Sequence, residues 1–88
     1  MKLDIGGFGP LLISRPAGRD AALVVRAYQR PATDTEPIEL DFSRVQVIAP
    51  SWLDEFIQTL ESEFGKRVVS LPSNIPVVVE TLRALQPD

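Results

Sequence analysis

Ser51, Asp54 and Glu55 stand in the stretch IELDFSRVQVIAPSWLDEF (residues 38–56), where an alternating apolar segment passes through a short connector into a helical one. A serine just before an apolar helical run, with an acid three residues on, fits a capping box. Its hydroxyl accepts from a backbone N–H near Asp54, whose carboxylate reaches back. The same hydroxyl could accept a regulatory phosphate, which the free N–H groups and dipole of a helix start would hold. Asp54 and Glu55 would oppose that phosphate through like-charge repulsion. Together with Asp41, these acids could also bind magnesium or serve as general acid and base near the end of a parallel strand. No basic or nucleophilic companion accompanies them. Arg15 and Arg19, near the start of the first helix, could clamp a carboxylate or phosphate or lie on a solvated edge. GGFGP (6–10) matches neither the dinucleotide nor the Walker glycine pattern, so it reads as a turn. Trp52 and Phe8, the bulky residues nearest loops, are core by default; an exposed Trp52 would be an interface anchor.

Composition narrows these options. The chain has 88 residues, enough for one small domain with a single core. Its formal charge of −3 argues against nucleic acid. With neither cysteine nor histidine, it lacks disulfides, thiolate sites, the usual base of serine chemistry and the commonest transition-metal ligand. No catalytic, cofactor-binding or metal-binding residue is assigned. The sequence has no apolar run of membrane-spanning length and no basic-then-apolar leader, so a cytoplasmic protein with no membrane partner is expected.

The elements that must position these residues follow from periodicity. KLDI (2–5) and LLIS (11–14) read as two strands of a hairpin joined by GGFGP. A helix is expected over roughly 17–30, with Ala21, Val24, Val25 and Tyr28 at helical spacing and Pro31 as its stop. IELDF (38–42) alternates and is a strand with one dry face. Trp52, Leu53, Phe56, Ile57, Leu60 and Phe64 form a wide helical stripe ended by Gly65. RVVSL (67–71) is a further strand. SNIPVVVETLRAL (73–85) reads as a helix with Asn74 as its cap, although Val77, Val78 and Val79 fit a strand nearly as well. The order predicts a single-domain α/β fold over residues 1–88. It has a mostly parallel sheet of about four strands, an N-terminal hairpin and three helices mainly on one face.

The sequence resembles the STAS-like domain family, named for sulfate transporters and anti-sigma factor antagonists. The resemblance runs over roughly residues 10–82. It rests on ISR (13–15) opening the first helix, on Leu40-Asp41-Phe42, and on the connector IAPSWLDEF. It implies a cytoplasmic bacterial protein with an α/β fold that binds proteins rather than catalysing a reaction. Antagonists of this kind carry Asp-Ser-Ser-Gly at the corresponding helix start and are phosphorylated on the first serine. Here those positions hold Ala49, Pro50, Ser51 and Trp52, so proline occupies the acceptor position. The resemblance therefore implies that Ser51 caps a helix within an interaction surface.

The expected function is that of a regulatory adaptor docking a protein partner through residues 48–55. Its partner would be an ATPase- or kinase-like protein or a transcription regulator. Ser51 would orient the helix, Pro50 or Trp52 would supply apolar contact, and Asp54 and Glu55 would select a basic patch. The alternative is a self-associating domain forming a homodimer through an open sheet face or edge strand.

Overall fold

The computed structural model describes residues 1–86. Its elements are β1 (Lys2–Asp4), a 3₁₀ turn (Ile5–Phe8), β2 (Leu11–Leu12), α1 (Arg15–Tyr28), β3 (Ile38–Asp41), β4 (Val47–Ile48), α2 (Pro50–Phe64), a 3₁₀ turn (Gly65–Arg67), β5 (Val68–Ser70) and α3 (Pro76–Leu85).

The α/β class and three helices match the sequence reading; the hairpin does not. β1 and β2 do not pair with each other. β1 pairs parallel with β3, which pairs parallel with β5, while β2 pairs parallel with β4 in a separate small sheet. The reason lies in Gly6 and its neighbours. They coil forward as a 3₁₀ turn instead of reversing, so the chain leaves β1 and continues into β2 in the same sense. Residues 2–12 and 39–48 consequently run side by side. Paired positions are 37 apart in the first stretch (Lys2↔Glu39) and 36 apart in the second (Leu11↔Val47). A Cβ on Gly6 would strike the carbonyl of Arg44, so the two interrupting turns abut and only glycine fits between them.

The core explains why the helices gather on one face. Leu3, Ile38 and Leu40 are buried and point towards α2, whose Trp52, Leu53, Phe56 and Leu60 are also fully enclosed. The alternate positions Lys2, Asp4 and Val69 are exposed and Glu39 and Asp41 half-buried, giving the sheet the open second face expected from its alternation. α1 crosses α2 at Gly18, where a side chain would run into the backbone carbonyl of Trp52. Val77, Val78 and Val79 are helical. Buried Val78 joins the core, and the Thr81 hydroxyl donates to the Ile48 carbonyl at 3.2 Å, fixing α3 over β4. Asn74 does not cap α3. The N-cap is Ile75, and it is Ser73 Oγ that accepts from the Ile75 N–H at 3.2 Å.

Candidate functional site

β2 and β4 each run directly into a helix, so the first turns of α1 and α2 lie next to one another. The Ala49 N–H donates to the Leu12 carbonyl at 2.8 Å and ties the two strand ends together. At α1, Ser14 is a true N-cap, its Oγ accepting from the Ala17 N–H at 3.2 Å. At α2 the expected capping box is absent, because the helix begins at Pro50 and its N-cap is Ala49, which offers no side-chain bond. Ser51 is already inside the first turn. Its hydroxyl instead donates to the Ile13 carbonyl at 2.9 Å, crossing to the β2–α1 junction.

Asp54 does not reach back to the helix start either. Arg15 Nη1 donates to Asp54 at 2.9 Å and to Glu55 at 3.1 Å, and Gln58 Nε2 donates to the other Asp54 oxygen at 2.9 Å. Hydrogen bonds from Arg15 and then Gln58 hold the Asp54 carboxyl below the ordinary carboxylate range, while the two acids raise the Arg15 guanidinium further. Arg15 is thus an internal bridge between α1 and α2. The acids expected to select a basic partner have a cation of their own.

Trp52 lies in the core, its default reading, and is not the apolar partner contact that the connector also suggested. It is 1% exposed and stacks on Phe56 with ring centroids 4.9 Å apart, with Phe8 tilted against both rings. Its position inside the first turn of α2 points the indole under the helix, where it cannot meet a partner. Pro50 is exposed, and Ser51, Asp54 and Glu55 are half-buried. Asp41 serves elsewhere. Its carboxylate accepts from the Ser43 N–H at 2.9 Å in the turn after β3, and that bond lowers its pKa. Among the described residues no group of three or more His, Cys, Asp or Glu is placed to hold a metal ion.

What sequence reasoning missed is an apolar face beside these residues. Leu11, Ile13 and Val47 are 63%, 51% and 41% exposed. Leu11 and Val47 are register partners, and Ile13 follows Leu11 by two, so all three project from one side of the β2–β4 pair. The signal was the unbroken run Leu11-Leu12-Ile13. In a strand such a run must present apolar side chains to both faces, and only Leu12 is buried.

The sequence profile of the family described as a STAS-like domain of unknown function (DUF4325) matches residues 20–71, which hold most of α1 and all of β3, β4, α2 and β5. The chain belongs to this family. No curated protein and no solved structure matches it. This STAS-like chain therefore keeps within the family match the β4–α2 junction, with Pro50, Ser51, Asp54 and Glu55. The Ser14 cap, the Arg15 bridge and the exposed Leu11 and Ile13 lie outside it. Among the described residues no helix is long and apolar enough to cross a membrane.

Proposed function

We propose that this STAS-like domain is a non-catalytic regulatory module of the bacterial cytoplasm that binds a protein partner where α1 and α2 begin. The observation that carries the reading is the exposed trio Leu11, Ile13 and Val47, beside exposed Pro50. Apolar side chains grouped on one solvent face, rimmed by the polar groups of Ser14, Ser51 and Arg15, have the composition of a docking patch. Partners of the ATPase or kinase class, or transcription regulators, fit a role without chemistry of its own. The Ser51 hydroxyl is committed to a backbone carbonyl, and no histidine or cysteine exists to activate it.

The test is capture of a partner from native lysate, with and without ATP, by the wild-type chain and by Val47→Glu. The glutamate should abolish recovery of a specific partner while leaving the melting temperature unchanged; undiminished recovery would remove this surface from the proposal. The intact mass of the recovered chain checks Ser51 as an acceptor at the same time, since phosphate would add one discrete increment.

A second reading, self-association, is favoured by α1. Val24 and Tyr28 are 46% and 83% exposed one helical turn apart, with Leu23 alongside at 40%. Light scattering over a dilution series, with Tyr28→Glu for comparison, measures it directly. A mass that stays monomeric throughout would exclude it.

A further inference from the structure

The arginines of α1 are not distributed around the helix. Arg15, Arg19 and Arg26, with Arg30 just beyond the C-terminal end, line the flank that meets α2, and they make up four of the chain's nine Lys and Arg residues. α2 faces them with three carboxylates. Arg15 occupies Asp54 and Glu55, while Glu63 takes Arg30 at 2.8 Å and Arg26 only at 3.7 Å. Arg19 has no carboxylate partner among the described residues. Opposite it α2 sets Glu55, already held by Arg15, and the neutral side chains Gln58, Thr59 and Ser62. Of these, Gln58 is turned to Asp54 and Ser62 to the Thr59 carbonyl.

Two shallow depressions follow this seam. One, of about 270 Å³, lies over Arg19, Leu23 and Arg26; the next, of about 290 Å³, shares Leu23 and Arg26 and continues to Arg30 and Glu63. At ~1.5 Å per helical residue the trough from Arg19 to Arg30 is roughly 16 Å long, the span of about five extended residues. Leu23, 40% exposed, stands between its cationic ends.

We infer that the α1–α2 trough receives an acidic linear segment of a protein partner. The segment's carboxylates would meet Arg19 and the Arg26–Arg30 end, and one apolar side chain would rest on Leu23. Guanidinium groups bind carboxylates as charge-assisted forks, and Arg19 has that capacity unused. Glu55 and Glu63 on the α2 wall set the limit. They tolerate a short segment threading between them and repel a continuous polyphosphate, which matches the chain's net charge of −3. This surface lies along the seam, separate from the β2–β4 face, so either proposal stands or falls without the other.

The probe is a fluorescein-labelled Glu-Glu-Leu-Glu-Glu peptide titrated with the full chain and followed by anisotropy. Saturable binding that weakens from about 20 to about 150 mM salt is expected, as for exposed charge contacts. Arg19→Glu should weaken it at least about tenfold, and Arg19→Gln should weaken it less. Arg83→Glu, on α3, should leave it unchanged. Circular dichroism melts confirm that each variant is folded, and Arg19→Gln carries the test if the glutamate variant is not. Absence of saturable binding, equal affinity in Arg19→Gln, an equal loss in Arg83→Glu, or tighter binding of a thymidine oligonucleotide or of Lys-Lys-Leu-Lys-Lys would each overturn the inference.

Discussion

The starts of α1 and α2 sit side by side and are built on opposite plans. α1 is started locally, by a serine hydroxyl accepting from an N–H three residues ahead. α2 has no such cap and is held from a distance. Its Trp52 is enclosed in the core, its Ser51 reaches to Ile13, and its Asp54 and Glu55 are gripped by Arg15. A locally capped helix carries its start signal in its own sequence. A helix started by tertiary contacts depends on its neighbour, so the two junctions are coupled through Arg15 and Ser51. A partner bound at one would act on both.

That contrast can be broken experimentally, beginning with its strongest element. Trp52→Ala should cost about 4 kcal/mol, the usual loss for a large aromatic in a packed core, and should lower the melting temperature by more than about 15 °C in a domain of this size. A loss no larger than that of a surface mutation would mean that α2 does not depend on its buried first turn. Gly18→Ala comes next. Alanine favours a helix over glycine by about 1 kcal/mol, but its methyl would meet the Trp52 carbonyl, so a net loss of about 2 kcal/mol is expected from overpacking. A urea titration measures it; a gain in stability would show slack in the crossing.

The third test compares two serines. Ser14→Ala should cost about 1 kcal/mol as a lost cap, and Ser51→Ala about half as much, because water can replace the hydroxyl at the Ile13 carbonyl. The reverse order in denaturant midpoints would mean that the Ser51–Ile13 bond across the two junctions outweighs the Ser14 cap. The smallest effect is that of Asp54. Its pKa is lowered in the folded protein, so the stability it contributes is present above its unfolded pKa and is lost as pH falls through the folded one. Asp54→Asn should therefore reduce the fall in melting temperature between pH 5 and pH 3, and high salt should narrow the difference from wild type. Identical acid limbs for the two proteins would show that the Arg15–Asp54 pair has no measurable effect on stability.

Legibility in the sequence followed the same division. The stripe Trp52, Phe56, Leu60, Phe64 and the alternation of Ile38, Leu40 and Phe42 were readable because burial imposes a period on neighbouring residues. Ser51 was misplaced although its neighbour held the correction. Proline suits the first helical position, so Pro50 makes Ala49 the cap and puts Ser51 inside the helix. β4 was hidden in the connector because a two-residue strand has no period to detect. The pairing of Arg15 with Asp54 joins residues 39 apart in the chain, and no local pattern announces it. The hairpin failed for a further reason: glycines permit a reversal but do not dictate one, and here Gly6 is needed for the close approach to Arg44.

The change of register from 37 to 36 between the two parallel stretches has a consequence for the Leu11 face. Along residues 38–48 the even-numbered strand positions Ile38, Leu40 and Ile48 are buried throughout. Along residues 2–12 the parity inverts, with Leu3 inside before the 3₁₀ turn and Leu12 inside after it. The extra residue in that turn is therefore a phase shift. By absorbing it, the turn keeps Leu12 on the core side with Ile48 and Leu11 on the water side with Val47. Removing one glycine from the turn would make the offset 37 throughout and leave Leu11 opposite Val47 and Leu12 opposite Ile48, so the outward apolar face survives here only because the turn takes up one residue without passing it on to the strand.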